Sequence, residues 1–126
     1  MKTFYITVDA GYMFDFLSIY DVKLLKIGSG ENNQNLKNFN NTESDIVIQI
    51  GEDLYSKIIK SQEYQNLYYI NRKLFDLVDL AKDDKVKASE VDAYVYKRFL
   101  AKKALRLKFF PESEEVEQKS GYEKKV

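Results

Sequence analysis

The sequence predicts a mostly α-helical protein: an antiparallel bundle of three to four helices behind a short N-terminal extended segment. Three observations carry that reading. Apolar side chains recur at alternating steps of three and four residues in several long stretches, the spacing of one helical face. The chain of 126 residues has a single Pro, at position 111, and five Gly, so little interrupts a helix. Its 44 % apolar and 32 % charged residues are the proportions of a soluble globular domain, and the length suits one domain rather than two.

Residues 2–8 are rich in β-branched and aromatic types, which favours an extended segment. Asp9 then offers an N-cap oxygen, and Met13, Leu17, Tyr20, Leu24 and Ile27 mark the apolar stripe of a first helix, widened by Phe14 and Phe16. Lys23 and Lys26 suit its negative C-terminal end, and Gly28 and Gly30 stop it. From 28 to 43 the composition shifts to six Asn (32, 33, 35, 38, 40 and 41) with only Leu36 and Phe39 large and apolar, the profile of a mobile loop. Residues 45–50 fit two patterns. Ile46, Ile48 and Ile50 alternate like a strand, whereas Ile46, Val47, Ile50, Leu54 and Ile58 fit a helix, and the helical run 52–60 tips the choice to helix despite Gly51. The next helix is marked by Leu67, Ile70, Leu74, Leu77 and Ala81. Ser89 with Asp92 resembles a capping box opening a last helix through Val91, Val95, Phe99, Ala101, Leu105 and Phe109 to Pro111. Residues 1–111 thus form a single helical domain, and 112–126 a charged C-terminal tail, acidic first and then basic.

Composition removes whole classes of chemistry. With no Cys there are no disulfides, thiolate metal sites or Cys nucleophiles, and with no His there is neither the commonest general base nor a Ser-His-Asp triad. Twenty basic against twenty acidic residues leave no net charge, which argues against a general hold on nucleic acid or anionic membrane. No apolar run approaches a membrane span, and the first residues lack the long apolar region of a signal peptide, so the expectation is a cytoplasmic protein.

Three constellations remain. Asn71 lies in the apolar stripe beside Ile70 and Leu74, where an amide needs partners; it either sets helix register or contacts a ligand. Asp76 and Asp79, with Asp83 one turn on, share a helical face, a spacing that suits Mg²⁺ if a second acidic pair faces it; Glu90 and Asp92 match no such motif, and a solvated acidic face is the simpler reading. Lys97, Arg98, Lys102, Lys103, Arg106 and Lys108 follow one another on the last helix with aromatics between them, as in an anion or base-stacking surface, although an acidic tail follows at once. Gly28-Ser29-Gly30 follows a helix and so lacks the order of a phosphate loop.

Three fragments together resemble an uncharacterised family of short proteins from bacteria and their phages. The opening matches at Gly11, Asp15, Leu17, Ser18, Ile19, Lys23 and Ile27, the middle at Ile70, Asn71, Leu74, Phe75 and Asp79, and the ending at Arg98, Lys102, Glu117, Lys119, Ser120 and Tyr122. The chain departs from the pattern at Tyr12, where the family favours an acid, at Arg106, where it favours Asn, and at Gly121, which interrupts Ser-Tyr. The resemblance implies a helical hairpin protein, sometimes encoded beside surface-polysaccharide enzymes, and an organised tail. The expected function is accessory: a non-enzymatic, homo-oligomeric protein that binds itself or a protein partner through helix faces, without cofactor or metal. The alternative is a binder of phosphate- or nucleotide-type ligands through Asn71, Asp79, Arg98, Lys102, Lys119 and Tyr122.

Overall fold

A computed structural model describes residues 2–27 and 34–113, and everything in it is helix, turn or irregular chain. Among the described residues there are five helices: α1 (Ala10–Lys26), α2 (Gln34–Ile50), α3 (Glu52–Ile59), α4 (Gln62–Lys82) and α5 (Ala88–Phe109). The fold is the helical bundle that the periodicity predicts, with more helices than the three to four expected.

The additional helix comes from two corrections. Much of the stretch read as an Asn-rich loop, 28–43, is the first half of α2; positions 28–33 lie outside the described residues. Asn lowers helix propensity by only tenths of a kcal/mol per residue, and Phe39, Glu43, Ile46, Val47 and Ile50 form one helical face whose apolar members pack on the core. Tertiary burial outweighs propensity here. The strand alternative for 45–50 is not adopted. Gly51 then separates α2 from α3 with φ of 89°, a left-handed backbone that only Gly takes without strain.

Two helix starts, those of α1 and α4, carry side-chain caps. The Asp9 carboxylate accepts the Tyr12 backbone N–H at 2.9 Å, and Ser61 Oγ accepts that of Tyr64 at 3.1 Å. The capping box expected at Ser89 does not form: α5 begins two residues earlier than that box requires, with Lys87 at the cap position and no side-chain cap. The preceding turn sets that start. Asp84 adopts φ of 56° and Lys85 N–H donates to the Leu80 carbonyl at 2.9 Å, so the chain re-enters helix before Ser89 can cap it. Phe110 ends α5 just ahead of Pro111, as the sequence predicts.

Helices α4 and α5 form an antiparallel hairpin, with Glu63 facing Lys108 at one end and Val78 near Val91 at the other. Helix α1 packs on α4, α5 and α2, while α3 closes the far side against α2 and α4. One cluster forms the core: Phe14, Leu17, Ile46, Tyr55, Ile58, Tyr64, Leu67, Ile70, Leu74, Ala101 and Leu105. The buried face of α1 differs from the expected stripe. Gly11, Phe14, Asp15, Leu17, Ser18 and Val22 point inward, Tyr20 and Leu24 are half-buried, and Ile27 is exposed. Leu17 is shared by both readings. The face was masked because two of its members, Asp15 and Ser18, are polar.

Candidate functional site

Where α1, α4 and α5 meet, the apolar interior is interrupted by a cluster of buried polar groups: Asp15, Ser18, Asn71 and Lys102. Each is placed by its helix position. Asp15 and Ser18 are three apart on α1, so their side chains lie on one face, and Asn71 of α4 reaches both. The Asn71 amide nitrogen donates one proton to Asp15 Oδ1 at 2.8 Å and the other to Ser18 Oγ at 2.6 Å. Ser18 in turn donates to the Asp15 carbonyl at 2.8 Å. From α5, Lys102 Nζ stands 3.7 Å from Asp15 Oδ2, and the same ammonium lies 5.4 Å from the centre of the Tyr12 ring. No buried side-chain polar atom among the described residues lacks a partner.

This cluster exists because the helices come unusually close. A Cβ on Gly11 would stand 2.7 Å from the Lys102 carbonyl oxygen, so only glycine lets α1 approach the α5 backbone at this point. Gly11, Asp15, Ser18, Asn71 and Lys102 converge in space although they come from opposite parts of the chain. The sequence reading gave Asp15, Ser18 and Gly11 no chemical role. Their signal was there: with Phe14 and Val22 they complete a helical face.

Beside the cluster runs a groove of about 440 Å³ between α1, α4 and α5. Asn71 belongs to its lining; Val22, Leu74, Phe75 and Val95 are among its apolar walls, and Asp79, Lys82 and Arg98 its charged residues. Three of the expected ligand residues, Asn71, Asp79 and Arg98, therefore share one concavity. Lys102, a fourth, is buried against Asp15. Lys119 and Tyr122 lie outside the described residues. Arg98 is half-buried and makes no hydrogen bond or ion pair with another described residue, whereas Asp79 pairs with Lys82 at 3.8 Å.

The basic run of α5 does not form one surface. Lys97 stacks over Tyr94 at 4.3 Å, Lys102 turns inward, Arg106 donates to the Ser113 carbonyl at 3.2 Å, and Lys108 pairs with Glu63 at 2.9 Å. Of the acidic face on α4, Asp76 is held by Lys26 at 3.0 Å, and among the described residues no group of three acidic side chains is placed to hold a metal ion. No helix among them is long and apolar enough to cross a membrane.

A second polar group sits between α1, α2, α3 and α4. Tyr64 donates to Asp21 at 3.1 Å and Tyr55 to Glu43 at 2.5 Å. Burial pushes the Asp21 carboxyl above the ordinary aspartate value; the Tyr64 hydroxyl opposes this and the Glu43 charge adds to it. Burial and the adjoining carboxylates likewise hold the Tyr55 and Tyr64 hydroxyls protonated, which makes them donors rather than bases.

Comparison with protein-family models, with curated proteins and with solved structures finds no match.

At the end of the molecule where residues 2–9 lead into α1, a trough of about 1030 Å³ is lined by Tyr5, Ile6, Val8, Tyr12, Phe16 and Ile48, among others. All six are exposed.

Proposed function

We propose that this chain is a small non-enzymatic accessory protein of bacterial or phage origin, acting in the cytoplasm of the bacterial or infected cell by docking to a protein partner or to itself. The observation that carries this is the apolar trough formed by Tyr5, Ile6, Val8, Tyr12, Phe16 and Ile48. Single exposed apolar residues are ordinary, but a contiguous patch of aromatic and branched side chains is the mark of an interaction surface. The interior polar cluster has a complementary role: Asn71 fixes the register of α1 on the α4–α5 hairpin, which acts as a coiled-coil-like spine holding the trough in shape. The non-enzymatic reading is supported by how these groups are engaged: the buried Tyr55 and Tyr64 donate to the half-buried Glu43 and Asp21, and the buried Asp15 carboxylate accepts from the Asn71 amide. Sedimentation velocity tests the docking reading. The wild-type chain should form a dimer or larger species at micromolar concentration, and a Phe16→Glu, Ile48→Glu double variant should be monomeric with unchanged helical circular dichroism. A monomeric wild type overturns self-docking.

A second reading has its own observation. The Arg98 guanidinium, without a hydrogen-bond or ion-pair partner among the described residues, lines an apolar groove together with Asn71 and Asp79, the layout of a site for a small ligand with an apolar body and an anionic head. Thermal-shift screening of nucleotides, sugar phosphates and sulfate tests it: stabilisation of the wild type that is lost in Arg98→Ala supports this site.

A further inference from the structure

Residues 3–7 read Thr-Phe-Tyr-Ile-Thr, an order that is nearly the same in both directions about Tyr5. They contain no charge, no Pro and no Gly, and they consist of types that favour strands. In the structure they are irregular chain ahead of α1 and make no backbone hydrogen bond with another described residue. Among the described large hydrophobics only Ile48 is comparably exposed: Phe4 is 77 % exposed, Tyr5 91 % and Ile6 79 %. Proteins ordinarily blunt such an edge with Lys, Pro or a covering element. Here Lys2 adjoins the segment, its ammonium 5.5 Å from the centre of the Phe4 ring, but among the described residues no element pairs with the backbone of residues 3–7.

We infer that residues 3–7 pair antiparallel with the same residues of a second copy of this chain, about a two-fold axis at Tyr5. This deepens the docking reading proposed above and rests on it. In that register Thr3 faces Thr7 of the other copy, Phe4 faces Ile6, and Tyr5 faces Tyr5. Hydroxyl, aromatic–branched and aromatic–aromatic pairs are the cross-strand combinations that stabilise a ladder. Moving the register by two residues would set Phe4 against Phe4 or Ile6 against Ile6 and lose the Thr3–Thr7 match. A second copy is favoured over an unrelated strand because residues 3–7 carry no charge to select another partner, while their near-palindromic order makes the segment complementary to itself. A two-stranded ribbon is marginal alone. The apolar side chains of Tyr12, Phe16 and Ile48 beside the segment provide the surface against which it is stabilised.

Cysteine cross-linking tests the register, because the chain has no Cys of its own. Under mild oxidation Tyr5→Cys should give a covalent dimer. Phe4→Cys and Ile6→Cys should each cross-link weakly alone, their like positions being too far apart for a disulfide, and should link efficiently when mixed. A Tyr5→Pro, Ile6→Pro double variant removes a ladder donor whichever residues face inward, and should weaken dimerisation in sedimentation by at least about tenfold. These positions precede α1, so helical circular dichroism should stay at the wild-type value; if it falls, the cross-linking set decides. A wild-type dimer in which Tyr5→Cys links no better than Phe4→Cys overturns the strand pairing and leaves docking to the helix faces. A wild type that stays monomeric overturns self-association through either surface.

Discussion

Gly11→Ala is a change whose sign depends on the tertiary structure alone. In an isolated helix, alanine is favoured over glycine by about 0.5–1 kcal/mol, because it loses less backbone freedom on folding. In this fold the new Cβ would lie 2.7 Å from the carbonyl oxygen of Lys102 and 3.1 Å from its carbonyl carbon. Both are backbone atoms of α5, so no rotamer change relieves the overlap and the two helices must separate by several tenths of an ångström. Separation also draws Lys102 from Asp15, already at 3.7 Å inside the bundle. Overpacking of this kind costs about 1–3 kcal/mol. Setting this against the propensity gain leaves a net loss on the order of 1 kcal/mol. Urea unfolding followed by circular dichroism reads it as a lower midpoint with an unchanged slope. A variant as stable as the wild type, or more stable, would refute the close approach of α1 to α5.

Asn71→Ala removes both amide protons from the interior and leaves Asp15 Oδ1 without its donor; losing a hydrogen bond to a buried charged group should cost about 1.5–3 kcal/mol in the same assay. Gly51→Ala should lower stability by about 1–3 kcal/mol although nothing stands near the added methyl, because φ of 89° strains any side-chain-bearing residue. Asp21 holds its proton more tightly in the folded than in the unfolded chain, so its contribution is present at low pH and is lost as the pH rises from its ordinary 3.8 through the raised value. Asp21→Asn keeps an oxygen to accept the Tyr64 hydroxyl, and should flatten that limb of the stability–pH curve and leave the neutral-pH melting temperature at or above the wild-type value.

What the sequence by itself determined is whatever short-range periodicity and local chemistry encode. The inward line of α4, Leu67, Ile70 and Leu74, follows from spacing; the Asp9 cap and the stop at Pro111 follow from single residues. Asn71 was visible as an amide in an apolar stripe, which requires partners. Three things only the tertiary structure decided. Residues 34–43 are helical because Phe39 has a core to reach, a gain that composition does not contain. The buried face of α1 runs through Asp15 and Ser18 because Asn71 and Lys102, distant in the chain, satisfy them; without those partners the same face would be polar and solvent-facing. The basic run of α5 looks like one surface in sequence, yet a helix spreads consecutive residues around its axis. Lys102 thereby faces Asp15, Arg98 the groove and Lys108 Glu63, and which acid each cation meets is set by helix packing.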